Sequence, residues 1–131
     1  MVNKVGVAER ELQVQGLIRD LYDLDGSGNY SIESVKVTVG LVLKNPDVSK
    51  LRSYRDGVSY LLGKDGHQAS SKELTGVMGS GPSVNATNFS PYYRGVWDKK
   101  GRVYFIPDEN LQRARDYVRI MDRLIGVLSE S

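Results

Sequence analysis

Apolar residues at helical spacing mark both ends of this chain. The first set recurs every three or four residues and consists of Val14, Leu17, Ile18 and Leu21. It predicts an amphipathic helix over about residues 7–22. The second set predicts a last helix, capped by Asp108, and contains Leu111, Ala114, Val118, Met121, Ile125 and Leu128. Tyr117 and Leu124 broaden that face, which favours burial in a core over a narrow seam between two chains.

The segment 32–44 allows two interpretations. Helical spacing joins Ile32, Val35, Val39 and Val42. Alternation typical of a strand joins Val35, Val37, Val39, Leu41 and Leu43. Valine and threonine favour a strand, whereas Ser31 is a good N-cap for a helix. We favour the helix, and both interpretations stay open at the level of sequence.

The middle of the chain predicts one further helix, one loop and one hairpin. Apolar spacing after Pro46 predicts a helix over about 48–62. Residues 63–91 are rich in Gly, Ser and Asn, so we expect a mobile surface loop there, interrupted at most by a short helix at 71–78 capped by Ser71. Alternating rings and valines around a central turn predict a β-hairpin near residues 92–106. The expected fold is therefore α+β, a mostly helical single domain over residues 1–131.

The stretch from Asp23 to Ser34 resembles the calcium loop of the EF-hand family. That family takes oxygen ligands from loop positions 1, 3, 5, 7 and 9, with glycine at position 6 and a bidentate glutamate at position 12. Glycine stands at position 6 here, and the resemblance implies a ligand set of Asp23, Asp25, Ser27, Asn29 and Ser31. Position 12 is Ser34, so the resemblance implies at most weak calcium binding. Turn-forming residues alone also explain this composition.

Basic side chains and aromatic side chains alternate along the predicted hairpin. Single-stranded nucleic acid is bound by such mixtures, in which rings stack on bases and cations contact phosphates. The candidate surface for nucleic acid or a protein partner consists of Arg94, Trp97, Lys99, Lys100, Arg102, Arg115, Arg119 and Arg123. The formal net charge of +2 is too small to indicate nucleic acid without such clustering.

The composition limits the cellular compartments and the types of chemistry that we expect for this chain. The chain has no cysteine, which excludes disulfides and thiolate chemistry. No signal peptide and no membrane-spanning segment are visible, so we expect a cytoplasmic or virion protein that does not enter a membrane. The single histidine, His67, falls in a glycine-containing loop without a recognisable catalytic motif, and we do not expect an enzyme.

Our leading hypothesis is a small non-catalytic interaction or assembly protein, such as a component of a virus or phage particle. Its expected partner is another protein or a second copy of the chain in a two-fold homodimer. The expected contact surface is the hairpin with the exposed part of the last helix. The alternatives are a calcium-binding helix-loop-helix protein and an accessory protein that binds RNA or single-stranded DNA.

Overall fold

A computed structural model describes residues 2–24, 31–78, 94–98 and 101–129. These residues form five α-helices and a three-stranded antiparallel sheet. The helices are α1 (Val2–Asp23), α2 (Ile32–Lys44), α3 (Val48–Gly63), α4 (Ser71–Met78) and α5 (Leu111–Ser129), and the strands are β1 (Gln68–Ser70), β2 (Arg94–Asp98) and β3 (Gly101–Phe105). The prediction of a mostly helical chain with one β-hairpin is confirmed. Among the described residues, no helix is both long and apolar enough to cross a bilayer.

The chain divides into two compact units. Unit 1 comprises Met1–Val48 and Arg119–Ser131, and unit 2 comprises Ser49–Val118. The expectation of one domain over residues 1–131 stays a prediction.

Unit 1 contains α1, α2 and the C-terminal part of α5. Its α1 and α2 pack against each other, and Ser31 caps α2, since its Oγ accepts a hydrogen bond of 3.1 Å from the backbone N–H of Ser34. The segment 32–44 is therefore a helix. The core of the unit contains Val14, Ile18, Val35, Val39, Ile120, Met121, Leu124, Ile125 and Leu128.

Arg10 on α1 holds the C-terminal end of α5. Its Nη2 donates a hydrogen bond of 3.3 Å to the backbone carbonyl of Leu128. The last carbonyls of a helix have no partner within the helix, and the negative end of the helix dipole favours a nearby cation. This contact therefore ties the first helix of the chain to the last.

Unit 2 contains the small three-stranded sheet. β3 is the central strand and pairs antiparallel with both β1 and β2, with Ala69 opposite Tyr104 on one side and Gly95 opposite Tyr104 on the other. The buried side chains of the unit include Tyr54, Val58, Leu61, Ala69, Leu74, Met78, Tyr104, Ile106, Ala114 and Tyr117.

Gly57 marks a close approach between α3 and α4. A Cβ atom at this position would lie 2.7 Å from the Sδ of buried Met78. Any larger residue would push Met78 out of its place, so the glycine allows the thioether to pack against the helix backbone.

Three local predictions differ from the structure. The short helix at Ser71–Met78 is present, but Ser70 caps it, because the Oγ of Ser70 accepts a hydrogen bond of 3.1 Å from the N–H of Glu73. Strand β1 was not predicted, and it lies within the expected loop 63–91, whose residues 79–91 fall outside the described ones. A short 3-10 turn, Asp108–Asn110, precedes α5. The α-helix therefore starts at Leu111 and not directly after the predicted cap, Asp108.

Candidate functional site

The outward side of α2 carries exposed apolar side chains. Val37 is 60% exposed and Leu41 is 64% exposed, and the two lie one helical turn apart. Gly40 lies between them, is exposed, and has open space where a Cβ would project. These three residues form a continuous apolar patch on the surface of unit 1.

Charges of opposite sign stand at the two ends of this patch. Glu33 lies in the first turn of α2 and Lys44 lies in the last turn, and both side chains are exposed. Each residue turns the helix by about 100°, so residues 33, 37, 40, 41 and 44 fall within an arc of about 100°. We call this set the outward face of α2. Neither charged residue forms an ion pair with any other residue that the structure describes.

The opposite side of α2 belongs to the core. Val35 and Val39 are almost fully buried, at 3% and 5% exposure. Beside them, the hydroxyl oxygens of Thr38 and Tyr22 on α1 lie 2.7 Å apart. Thr38 donates its proton to the carbonyl of Ser34, at 3.0 Å, so the Tyr22 hydroxyl is the donor in the contact between the helices.

A second surface feature of unit 1 is a groove of about 490 Å³ between α1 and α5. Its apolar residues include Leu12, which is 67% exposed, and Val127. Its polar residues include Asp20 and Arg123. Arg123, one of the arginines of the predicted nucleic-acid or partner surface, therefore lies at this groove.

Glu73 is the centre of a polar cluster in unit 2. Its Oε2 accepts a hydrogen bond of 2.7 Å from the hydroxyl of Tyr60 and lies 3.2 Å from the Nζ of Lys64. Its Oε1 accepts a bond of 3.4 Å from the backbone N–H of Ser70, which completes a capping box with the bond from Glu73 N–H to Ser70 Oγ. The cluster lies beside a cleft of about 490 Å³.

These contacts hold every group of the cluster in its usual charge state. Hydrogen bonds from Tyr60, Lys64 and Ser70, in that order of importance, lower the pKa of Glu73 from 4.5 to about 2. The hydrogen bond to the Glu73 carboxylate raises the pKa of Tyr60, and the same carboxylate raises the pKa of Lys64. The carboxylate stays ionised and its two donors stay protonated near neutral pH, so the cluster is suited to fixing α4 against α3.

The predicted calcium ligands lie partly outside the described residues. Asp23 is the last residue of α1 and Ser31 is the N-cap of α2, whereas Asp25, Ser27 and Asn29 are not among the residues that the structure describes. No group of three or more acidic or histidine side chains that could hold a metal occurs within the described part of the chain.

The predicted nucleic-acid or partner surface is dispersed along three elements. Arg94 and Trp97 belong to β2, Lys99 and Lys100 are outside the described residues, and Arg102 on β3 places its guanidinium 5.3 Å from the ring centre of Tyr104. Since Tyr104 is buried, this ring is not free to stack on a base.

The arginines of α5 are placed differently. Arg115, Arg119 and Arg123 follow one another at one-turn intervals and are exposed. Nucleic-acid binding through them stays a prediction.

Sequence reasoning missed the outward face of α2 and the capping box of α4. The only signal of the first is the alternation of Val35, Val37 and Val39, which has the period of a strand as well as of a helix with two apolar sides. The second was visible in the spacing of Ser70 and Glu73, since serine followed three residues later by glutamate is the signature of a capping box.

Comparison of the chain with protein-family models, with curated proteins and with solved structures gives no match.

Proposed function

We propose that this protein is a small non-catalytic assembly protein that works through protein–protein contact at the outward face of α2. The observation that carries the proposal is the apolar character of α2 on two opposite sides. Val35 and Val39 face the core, while Val37 and Leu41 face solvent.

A surface helix of a globular protein normally has a single apolar side, which it buries against the core. Single exposed apolar residues are common and need no explanation. Two of them on adjacent turns, with an exposed glycine beside them, form one contiguous apolar patch rather than scattered residues, and a partner helix can cover such a patch. Burying Val37 and Leu41 against a partner would remove them from water, which is the main driving force of protein association.

This proposal keeps the predicted class of function and adds α2 as a contact surface. The hairpin with the exposed part of the last helix stays a predicted contact surface. On the other side of α5, Ala114, Met121, Ile125 and Leu128 are buried, so that apolar side is used within the fold. In an assembly such as a virus or phage particle, α2 would supply the contact.

Removing the apolar side chains from the outward face tests the proposal. We expect the mass of the wild-type protein in light scattering to rise with concentration, and the rise to disappear in the double variant Val37→Ser/Leu41→Ser. The matched control is Ile32→Ser, because Ile32 is 63% exposed on the same helix but lies about 140° around the axis from Val37. Circular dichroism confirms that each variant keeps its helices.

Two results would overturn the proposal. One is a wild-type mass that stays monomeric at the highest accessible concentration and equals that of the double variant. The other is an equal loss of association in Ile32→Ser, which would show that α2 contributes general hydrophobicity rather than a defined face.

The second candidate function is calcium binding by α1, α2 and the segment between them. It is favoured by one observation: a helix ends at Asp23 and the next helix begins directly after the cap Ser31, as the EF-hand arrangement requires. Calorimetric titration with calcium tests it. Binding heat that Asp23→Ala removes would support this function, and the absence of heat at millimolar calcium would exclude it.

A further inference from the structure

We infer that the partner at the outward face of α2 is a second copy of this chain, with the two α2 helices antiparallel about a two-fold axis. This inference rests on the proposed function and deepens it by naming the partner and the arrangement. It is carried by the order of residues along the face: an acid, two apolar side chains and a base.

A two-fold axis brings residue i of one copy opposite residue j of the other, and residue j opposite residue i. Suppose that two antiparallel α2 helices are related by a two-fold axis that crosses their outward faces at the level of residues 38 and 39. Glu33 then faces Lys44 of the second copy. The same axis brings Val37 opposite Leu41 of the second copy. Both pairs share nearly the same midpoint, so a single arrangement satisfies the charges and the apolar contacts together.

A parallel arrangement does not have this property. It would place Glu33 beside Glu33 of the second copy and Lys44 beside Lys44, and like charges at close range oppose association. The outward face is therefore self-complementary only when the helices run in opposite directions.

Gly40 lies beside the proposed axis. It is exposed and has no atom within 4 Å of a Cβ position. Helix axes pack at about 8–10 Å depending on the side chains at the contact, and a glycine allows the short end of that range. The side chains of Val37 and Leu41 can then reach the backbone of the opposite helix.

The expected association is weak. A pair of 13-residue helices in contact along one face buries less than the roughly 800 Å² per partner of a standard stable interface. We therefore expect a dissociation constant in the micromolar to millimolar range, so the dimer forms at high local concentration.

Charge reversal at the two ends of the face tests the arrangement. Glu33→Lys alone gives a face with two cations, and Lys44→Glu alone gives a face with two anions. Each variant should lose self-association, with a rise in the dissociation constant of about tenfold, because both end pairs become repulsive. An equimolar mixture of the two variants should form a heterodimer, because both end pairs are then attractive.

The readout is sedimentation equilibrium at low salt on the single variants and on their mixture. The control mixture is Glu11→Lys with Lys72→Glu, which makes the same changes in net charge at exposed positions on α1 and α4. It should leave self-association of each variant intact and gain nothing on mixing.

The possible results separate this inference from the proposed function. Loss of self-association in each variant and its recovery in the mixture support the antiparallel dimer. Unchanged association in the single variants, or no recovery in the mixture, overturns the arrangement. If association still depends on Val37 and Leu41 in that case, the proposed function stands without it. A wild-type chain that stays monomeric, with a mass equal to that of Val37→Ser/Leu41→Ser, removes both.

Discussion

Val37 and Val39 are separated by one residue on α2 and have opposite environments: 60% of Val37 is exposed, against 5% of Val39. The same side chain thus occurs on the solvent side and on the core side of one helix. This relationship connects the fold of unit 1 with its proposed role, since the buried valine stabilises the chain and the exposed valine is available to a partner.

The first prediction concerns the stability of these two positions. Val39→Ala should lower the free energy of unfolding by about 2 kcal/mol, because it removes buried methyl groups and leaves a cavity. Val37→Ala should change it by no more than about 0.5 kcal/mol in dilute solution, as expected for an exposed side chain. Urea denaturation measures both. Equal losses in the two variants would contradict the two-sided arrangement of α2.

The second prediction concerns the hydroxyl pair between α1 and α2. A double-mutant cycle with Tyr22→Phe and Thr38→Val should give a coupling energy of about 0.5–1.5 kcal/mol, the usual net value of one protein hydrogen bond. The cycle is needed because both residues have other interactions, including the bond from Thr38 to the carbonyl of Ser34. Strictly additive single effects would show that the 2.7 Å contact does not stabilise the helix pair.

The third prediction distinguishes the two serines at the start of α4. Ser70→Ala should cost about 1 kcal/mol, because it removes the oxygen that accepts the N–H of Glu73. Ser71→Ala should stay within about 0.5 kcal/mol, since it lies inside the helix. Thermal or urea unfolding of the two variants provides the comparison, and a larger loss at Ser71 would reverse the assignment of the cap.

The fourth prediction concerns acid stability. In the folded protein the pKa of Glu73 is lowered from 4.5 to about 2, because hydrogen bonds from Tyr60, Lys64 and Ser70 favour the ionised carboxylate. The resulting stabilisation is fully present above about pH 5 and is lost as the pH falls towards 2.

Glu73→Gln should therefore show a smaller fall in the free energy of unfolding between pH 5 and pH 2 than the wild type, when both are followed by urea denaturation. Glu11→Gln, an exposed carboxylate on α1, is the matched control and should follow the wild type. If Glu73→Gln has the same pH dependence as the wild type, the carboxylate is not held ionised by Tyr60 and Lys64.

Several elements follow directly from the sequence. The apolar spacing from Leu111 to Leu128 predicted the last helix and its burial, and Ala114, Met121, Ile125 and Leu128 are buried. The hairpin near 92–106 also follows from its pattern, and β2 and β3 confirm it. Regular patterns of this kind are informative because a single buried side generates them.

The outward face of α2 could not be recognised in the same way. A helix with apolar residues on two sides repeats them every second position, which is also the period of a strand. Only the position of Val35 and Val39 in the core shows that Val37 and Leu41 must face away from it. The strand β1 was also hidden, because three residues, Gln68–Ser70, are too few to produce a recognisable alternation and depend on pairing with β3.

Oxidative cross-linking tests the central claim most directly. The chain has no cysteine, so one introduced residue reports on one site. Gly40→Cys should give a covalent dimer on a non-reducing gel, because position 40 lies near the proposed axis, and a disulfide needs Cα atoms within about 7 Å. Ile32→Cys should remain monomeric under the same oxidant. Absence of the dimer from Gly40→Cys, or equal cross-linking at both positions, would contradict the pairing of two chains through the outward face of α2.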